Sequence, residues 1–258
     1  MSDLNETLRE YARRYETPQF LVGDPSWFMH QVSGRDNQET TAFLASALSY
    51  GSRQQFLPKI QVLVDMSVGE MHRWISSGAY RDVFSIDDVS CFYRLYNMGT
   101  MRRFLDSCNV MLNRYGSIGD YLKSCGVGDA YSAIDALCRW FSVHGSSGVI
   151  PRDTSSACKR LCMFLRWMVR DHSPVDLGLW SHFIDKRSLI MPLDTHVLTE
   201  ACSLGLMRCR TASMSSALKL TERLAAIFPD DPLKGDFALF GYGIDKDAKA
   251  TRQVRIES

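Results

Sequence analysis

Apolar residues recur along most of this chain every three or four positions, which is the spacing of an α-helix with one buried face. The segments that show this pattern best are 41–50, 54–66, 93–115, 130–143, 156–170, 194–204 and 213–228, with a shorter apolar stretch at 237–243. Runs in which apolar and polar residues alternate, as they do in a half-buried strand, are nearly absent. The pattern therefore predicts an all-α protein.

One stretch of small residues interrupts the helical pattern in the middle of the chain. It runs from 145 to 156 and contains Gly145, Gly148 and Pro151, which favour turns. It separates a helical lobe at 39–145 from a second helical lobe at 156–243. Because 258 residues suffice for one large domain or for two small lobes with a shared core, we expect a single unit over 1–258.

Charge and hydropathy restrict the class of protein. The chain carries 30 basic and 29 acidic residues, a formal net charge of +1, and 45% of its residues are apolar. This balance argues against a protein that binds polyanions over its whole surface, but it allows a local basic cleft. The N-terminal residues are polar, and no apolar run approaches the roughly 18 residues of a membrane span. We expect a cytoplasmic protein without a membrane partner.

The eight cysteines are scattered along the chain. They form no Cys-x-x-Cys pair and no Cys/His group with the spacing of a zinc site. A reduced thiol on an apolar helical face behaves as a small hydrophobic group. The sequence therefore predicts free thiols, and it predicts neither a metal nor another cofactor.

The most informative local feature is Asp194, in the segment Pro192-Leu193-Asp194-Thr195-His196-Val197. An aspartate at the start of a helix accepts backbone N–H groups and interacts favourably with the helix dipole. Capping alone is a sufficient reason for an aspartate at this position. If the same carboxylate faces a cleft, it can also stabilise a developing cation or orient a water molecule.

Lys159 is the second candidate, in the first turn of the predicted helix 156–170. A lysine at this end of a helix interacts unfavourably with the helix dipole, which favours a role other than helix stability. As a neutral amine it would be a nucleophile. The alternative is a solvated surface lysine, since lysine is rarely buried.

Lys159 and Asp194, which follows 35 positions later, resemble the active-site pair of the helix-hairpin-helix DNA glycosylase superfamily, to which endonuclease III and the 8-oxoguanine glycosylases belong. In that superfamily the aspartate segment commonly reads Val-Asp-Thr-His-Val, close to 193–197 here. The helix that follows ends near Leu-Gly-Leu, matched by 204–206. Segment 39–55 is similar to the early helix of the superfamily and its polar turn, and 240–243 to the helix that closes the fold.

The whole chain also resembles a bacterial family of conserved proteins of unknown function. The stretches that carry this second resemblance are Asp24-Pro25, 47–51, 157–161, 164–170 and 192–197.

The glycosylase resemblance implies a two-lobed all-α fold. The cleft would lie between the lobe 39–145 and the lobe 156–243, with segment 1–38 belonging to the second lobe. The implied partner is DNA with a damaged base, which is flipped out of the duplex. Lys159 would attack the sugar C1′ and form a Schiff base, Asp194 would stabilise the positive charge on the sugar, and β-elimination of the strand would follow.

The same resemblance implies a set of DNA-contacting residues. Hydroxyls in the turn before the lysine helix, together with the helix N-terminus, would contact a phosphate, and aromatic rings would stack on the extruded base unless they pack in the core instead. His196, beside Asp194, is also predicted to contact the DNA, and the alternative is a purely structural role. The complete predicted set is Arg152, Ser155, Ser156, Arg160, Arg166, Trp180, His182 and His196.

The chain departs from the superfamily pattern in two places. The hairpin usually reads Leu-Pro-Gly-Val-Gly, but residues 150–156 read Ile-Pro-Arg-Asp-Thr-Ser-Ser. No cysteine follows Cys209, so the four-cysteine loop of endonuclease III is missing and no iron–sulfur cluster is implied. Two alternatives stay open: a catalytically degenerate nucleic-acid-binding protein of the same fold, or a helical protein-interaction scaffold in which Asp194 is only a cap. The sequence does not indicate the lesion, the opposite base or the oligomeric state.

Overall fold

The computed structural model describes residues 2–145, 148–208 and 211–257, with the side chains of residues 3–246 among them. These residues are helical except for one short hairpin and the connecting loops, which confirms the all-α prediction. The helices are α1 Ser2–Tyr15, α2 Trp27–His30, α3 Arg35–Leu48, α4 Arg53–Met66, α5 Met71–Ser76, α6 Met98–Tyr115, α7 Ile118–Ser124, α8 Ala130–Val143, α9 Lys159–Val169, α10 Thr195–Ser203, α11 Met214–Ala225 and α12 Lys234–Glu257. Short 3₁₀ helices lie at Pro18–Leu21, Ala79–Asp82 and Lys186–Ser188.

The hairpin lies where the apolar spacing predicted the start of a helix. Strands β1 Cys91–Tyr93 and β2 Tyr96–Asn97 pair in antiparallel fashion, and α6 begins only after them, with Asn97 accepting the Thr100 N–H at 2.7 Å. The prediction of helix over 93–97 was therefore wrong. Three aromatic side chains of this segment, Phe92, Tyr93 and Tyr96, are buried, and their burial favours the extended backbone over local helical spacing.

The last helix is longer than the apolar stretch 237–243 predicted. Helix α12 extends over Lys234–Glu257, and its apolar part packs against α1, where Tyr11 and Tyr242 meet edge to face at 5.9 Å. Gly241 allows this approach, since a Cβ there would lie 2.2 Å from the Tyr15 ring. The short helices α5 and α7 were not predicted because neither is long enough to show a helical period.

The core is centred on α3, most of whose residues are buried. The ring of Phe43 lies 5.9 Å from Phe104 of α6, 5.4 Å from Phe141 of α8 and 5.1 Å from Phe164 of α9. Buried side chains on both sides of the connector 145–156 thus belong to one continuous hydrophobic cluster.

The connector itself is only partly described, because Ser146 and Ser147 lie outside the described residues. Val149 and Ile150 are buried, and Ser156 forms an isolated β-bridge with Ser213. Cys158 precedes α9 in the left-handed region, with φ at 46°, so the helix begins at Lys159 rather than at 156. None of the described helices has both the length and the apolar character that a bilayer span requires.

Candidate active site

Lys159 and Asp194 form an ion pair. The Lys159 Nζ donates to Asp194 Oδ2 at 2.7 Å, and the two side chains are 38% and 33% exposed. The other oxygen, Asp194 Oδ1, accepts the N–H of Val197 at 2.8 Å and so caps α10. The carboxylate therefore caps a helix and binds the lysine at the same time.

The surroundings of Asp194 favour its ionised form. Burial raises the pKa of this carboxyl, but the charge and hydrogen bond of Lys159, the Val197 N–H and the nearby His196 lower it, and the net pKa lies below the ordinary value of 3.8. Ion pairing and hydrogen bonding to the charged form outweigh desolvation here. A charged carboxylate is consequently present at neutral pH beside the lysine amine.

The pair lines a cavity of about 390 Å³. Aromatic rings, including those of Phe20, Tyr50 and Phe240, form part of its wall, and Arg53 lies among them. Two further carboxylates, Asp24 and Asp236, also line it. A cavity of this size with an apolar wall and a few polar groups is typical of a small-molecule or single-base site.

Two of the predicted contact residues, His196 and Arg166, share this cavity. His196 is exposed on the first turn of α10. Arg166 is only 2% exposed, and its guanidinium binds Asp176 at 3.2 Å and also Asp236. Its position two turns after Lys159 on α9 puts it on the same helical face.

Arg160 holds the start of α9 against neighbouring elements. Its Nη1 donates to the Ala47 carbonyl at 2.5 Å and to the Tyr96 hydroxyl at 2.8 Å, and its guanidinium lies 5.5 Å from the Tyr50 ring centre. It is not among the residues that line the Lys159 cavity. These contacts are satisfied within the protein, so they explain Arg160 without a DNA phosphate.

Trp180 and His182 lie away from the cavity. Trp180 is fully buried, its Nε1 donates to Glu39 at 2.8 Å, and its ring meets Phe164 edge to face at 5.1 Å. It is therefore a core residue, as the packing alternative predicts. His182 is exposed and lines a separate pocket together with Asp171 and Lys186.

The turn before α9 holds Arg152, Ser155 and Ser156, all of which are exposed and outside the cavity lining. The Ser155 N–H is already donated to Asp153 Oδ1 at 2.9 Å, and the Ser156 hydroxyl accepts the Cys158 N–H at 3.4 Å. Donors that a phosphate would need are thus partly used inside the turn. The phosphate-binding role of this segment stays a prediction.

Several cavity residues were not predicted as site residues, among them Asp24, Tyr50, Arg53, Asp236 and Phe240. Asp236 and Phe240 are one helical turn apart, which places them on one face of α12. This spacing could have indicated from the sequence that the two side chains share a surface. The position of that face opposite Lys159 could not be read from spacing.

Metal ligation has no candidate in the residues that the structure describes, since no group of three or more His, Cys, Asp or Glu side chains there could hold an ion.

The fold and the cavity define an all-α protein in which a lysine at the start of one helix pairs with a carboxylate at the start of another. Residues 24–245 match the model of the family described as Protein of unknown function (DUF2400), so the chain belongs to that family. The search of curated proteins and the search of solved structures each returned no match.

Proposed function

We propose that this protein is a DNA glycosylase with an associated lyase activity, which cleaves the N-glycosidic bond of a damaged base through Lys159 and Asp194. The observation that carries the proposal is the 2.7 Å contact between Lys159 Nζ and Asp194 Oδ2 inside a cavity walled by aromatic residues. The resemblance of these two segments to the helix-hairpin-helix glycosylases supports the same conclusion.

The chemistry follows from the two groups. The Lys159 ammonium first gives one proton to solvent water. The neutral amine then attacks C1′ while the C1′–N bond breaks and the base departs with the electron pair. Asp194 stabilises the positive charge that develops on the sugar. Opening of the sugar ring leaves a Schiff base between Lys159 and C1′, from which β-elimination of the 3′ phosphate cleaves the strand.

The hairpin tip supports an action on duplex DNA. Leu95, at this tip, is 86% exposed, and its N–H donates to the hydroxyl of Tyr50 at 3.2 Å. Since Tyr50 lines the cavity, an exposed apolar side chain stands next to the cavity wall. Proteins that extrude or kink DNA insert such apolar side chains between bases.

Two arginine side chains near the cavity are placed to contact a phosphate backbone, although the net charge of the whole chain is close to zero. Arg53 lines the cavity with a half-exposed side chain, and its guanidinium lies 5.5 Å from the Phe240 ring centre. Arg94 is exposed beside Leu95 and lies over Tyr50 at 5.5 Å. Such cations position DNA without reading its sequence.

Borohydride trapping tests the proposal. Duplexes that carry 8-oxoguanine, uracil, thymine glycol or an abasic site are incubated with the protein and reduced, and we expect a covalent adduct with the wild type and none with Lys159→Gln. Lys186→Gln is the matched control, because Lys186 makes a similar 2.7 Å ion pair with Asp171 at comparable exposure. It should trap DNA as the wild type does.

Two results would contradict the proposed mechanism. Absence of a wild-type adduct on every duplex would remove the lysine mechanism, and adduct formation by Lys159→Gln at the wild-type rate would assign the nucleophile to another residue. Salt-dependent binding to DNA without any adduct would instead indicate the degenerate nucleic-acid-binding protein.

A further inference from the structure

Two buried cysteines form a thiol pair, Cys138 and Cys158, beside the start of α9. Cys158 immediately precedes Lys159 in the chain, and Cys138 lies on α8. Both are free thiols, 0% exposed at Cys138 and 3% at Cys158, and the Cys138 thiol hydrogen-bonds to the Cys158 sulfur. Neither cysteine lines the Lys159 cavity, so the proposed reaction does not use this thiol pair.

Cys158 lies just below the protein surface. Its Sγ is 3.5 Å from the Asp153 carbonyl oxygen and 3.6 Å from the Ser156 hydroxyl, and both of these residues are exposed. They belong to the turn 152–156, in which no residue is buried. A local opening of this turn is enough to admit a molecule as small as hydrogen peroxide, because few buried contacts hold it in place.

The surroundings of the thiol pair make Cys158 the more reactive of the two sulfurs. The hydrogen bond from Cys138 and the nearby Ser156 hydroxyl lower the pKa of Cys158 below its ordinary value of 9.0, although burial opposes this effect. The same hydrogen bond and burial raise the pKa of the Cys138 thiol. A thiolate next to a second, protonated thiol is the arrangement found in cysteines that sense oxidants.

The backbone at Cys158 connects the thiol pair to the ion pair of the cavity. Cys158 has a φ of 46°, in the left-handed region that residues with a Cβ rarely adopt, and α9 begins at the next residue. That residue, Lys159, reaches Asp194 at 2.7 Å. No residue of α8, all of which the structure describes, lines the cavity. A movement of Cys158 towards α8 is therefore a movement away from the cavity.

We infer that Cys138 and Cys158 are a modification site, at which a peroxide forms a reversible disulfide that withdraws Lys159 from Asp194. The Cys158 sulfur attacks one oxygen of hydrogen peroxide, the O–O bond breaks, and the hydroxide leaves as water with the Cys158 proton. A sulfenic acid remains on Cys158. The Cys138 sulfur then attacks the Cys158 sulfur, and the S–O bond breaks with loss of a second water that takes up the Cys138 proton. The two thiols lose two electrons, and the peroxide becomes two water molecules.

The new bond changes the position of Cys158 more than that of α8. A covalent bond brings the two sulfurs closer together than a hydrogen bond does. Helix α8 is held in the core, where Phe141 stacks on Phe43 at 5.4 Å, whereas Cys158 follows an exposed turn. Cys158 therefore moves, and the adjacent Lys159 moves with it. An external dithiol restores both thiols by exchange.

Peptide mapping of the full chain after treatment with hydrogen peroxide tests the inference. We expect a disulfide-linked pair of peptides that contain Cys138 and Cys158, which dithiothreitol separates. Reductive methylation followed by mass spectrometry measures the reactivity of the Lys159 amine. Its rate should rise by about 3-fold or more on oxidation, because the salt bridge no longer holds the amine. Lys186, which makes a 2.7 Å ion pair with Asp171, should keep its rate.

The effect of oxidation on DNA rests on the proposed function, whereas the disulfide and the release of Lys159 do not. Adduct formation on an abasic duplex should fall by about 100-fold in the oxidised protein, the cost of a misplaced catalytic group. It should return to the original rate after dithiothreitol.

Three variants assign the two sulfurs. Cys138→Ala should stop at the sulfenic acid of Cys158, which dimedone labels. Cys158→Ala should show no peroxide-dependent change at Lys159. Cys162→Ala is the matched control, because Cys162 is buried on α9 but burial raises its pKa, so this variant should oxidise as the wild type does.

The wild type alone decides between the outcomes, even if a variant fails to fold. Absence of the Cys138–Cys158 bond, a bond from Cys158 to Cys162 in its place, or an unchanged methylation rate at Lys159 would overturn the inference. A protein that forms the bond and frees Lys159, but whose reduced form gives no DNA adduct, would support the inference and overturn the proposed function.

Discussion

Lys159 and Asp194 are 35 residues apart in the chain, and a 2.7 Å hydrogen bond joins Lys159 Nζ to Asp194 Oδ2. Lys159 is the first residue of α9, and Asp194 caps α10 through its other oxygen. Because both residues stand on helices, packing of the helices fixes the distance between the amine and the carboxylate. The pair is therefore positioned before any substrate binds.

The capping and the proposed catalytic roles of Asp194 can be separated by Asp194→Asn. Asparagine is as good an N-cap as aspartate, so the free energy of unfolding should change by less than about 1 kcal/mol. Adduct formation should fall by about 100-fold or more, because the negative charge beside the sugar is lost. Chemical denaturation and borohydride trapping measure the two effects.

Asp129→Asn is the matched control, since Asp129 caps α8 by accepting the Ser132 N–H at 3.0 Å. It should leave trapping at the wild-type rate. If Asp194→Asn also traps DNA at that rate, Asp194 is only a cap, as the scaffold alternative predicts.

The lowered pKa of Asp194 predicts a pH dependence of stability. A carboxyl whose pKa in the folded state lies below its ordinary value of 3.8 stabilises the fold above that value and loses this contribution as pH falls through the folded pKa. From pH 5 to 7, about a unit or more above that value, the difference in unfolding free energy between the wild type and Asp194→Asn should therefore be constant. Below about pH 4 the wild type should become less stable relative to Asp194→Asn. Urea unfolding across this range measures it, and a difference that does not change at acidic pH would contradict the ion pair.

The raised pKa of Glu39 predicts a pH dependence of stability with the opposite sign to that of Asp194. Burial raises the pKa of this carboxyl from 4.5 to about 7, although Trp180 and the N–H groups of Ile118 and Gly119 donate to it and lower the pKa in part. The folded state then holds a proton that the unfolded state has lost, so the contribution of Glu39 to stability decreases as pH rises from 4.5 to about 7.

Glu39→Gln tests this dependence because glutamine does not titrate. Relative to this variant, the wild type should lose up to about 3 kcal/mol between pH 4.5 and 7, since a tenfold change in a protonation equilibrium corresponds to about 1.4 kcal/mol. Thermal or urea unfolding of both proteins supplies the values. Parallel stability curves would mean that the pKa of Glu39 is the same in the folded and the unfolded state, and would contradict the raised value.

Leu95→Ala tests the role of the hairpin tip. The side chain is 86% exposed, so its removal should leave the melting temperature unchanged, but it should slow base excision from duplex DNA by about 10-fold because it no longer helps to unstack the base. The rate of base excision from single-stranded DNA should fall by a smaller factor than the rate on duplex DNA. Val89→Ala removes an apolar side chain of 83% exposure and should have no effect on either substrate. Equal rates of Leu95→Ala and wild type on the duplex would exclude the wedge.

Local patterns accounted for much of the fold. The apolar spacing predicted α4 almost to the residue, and the Asp194 segment predicted both the start of α10 and the cap. These features depend on residues within one or two helical turns, so a short window of sequence contains their cause. The hairpin at Cys91–Asn97 was missed because its three buried aromatic residues are stabilised by distant contacts, which no local pattern records.

The sequence by itself determined the helical class, the position of Lys159 in a first helical turn and that of Asp194 as a helix cap. Only the tertiary structure decided that these two side chains meet and that Asp236 and Phe240 of α12 line the same cavity. It also decided that Arg160 and Trp180 make their hydrogen bonds within the protein. The physical reason is that a helix is formed by contacts three or four residues apart, whereas a cavity is formed by helices that are remote in the chain. The direction in which each helix faces is set by the packing of the whole core.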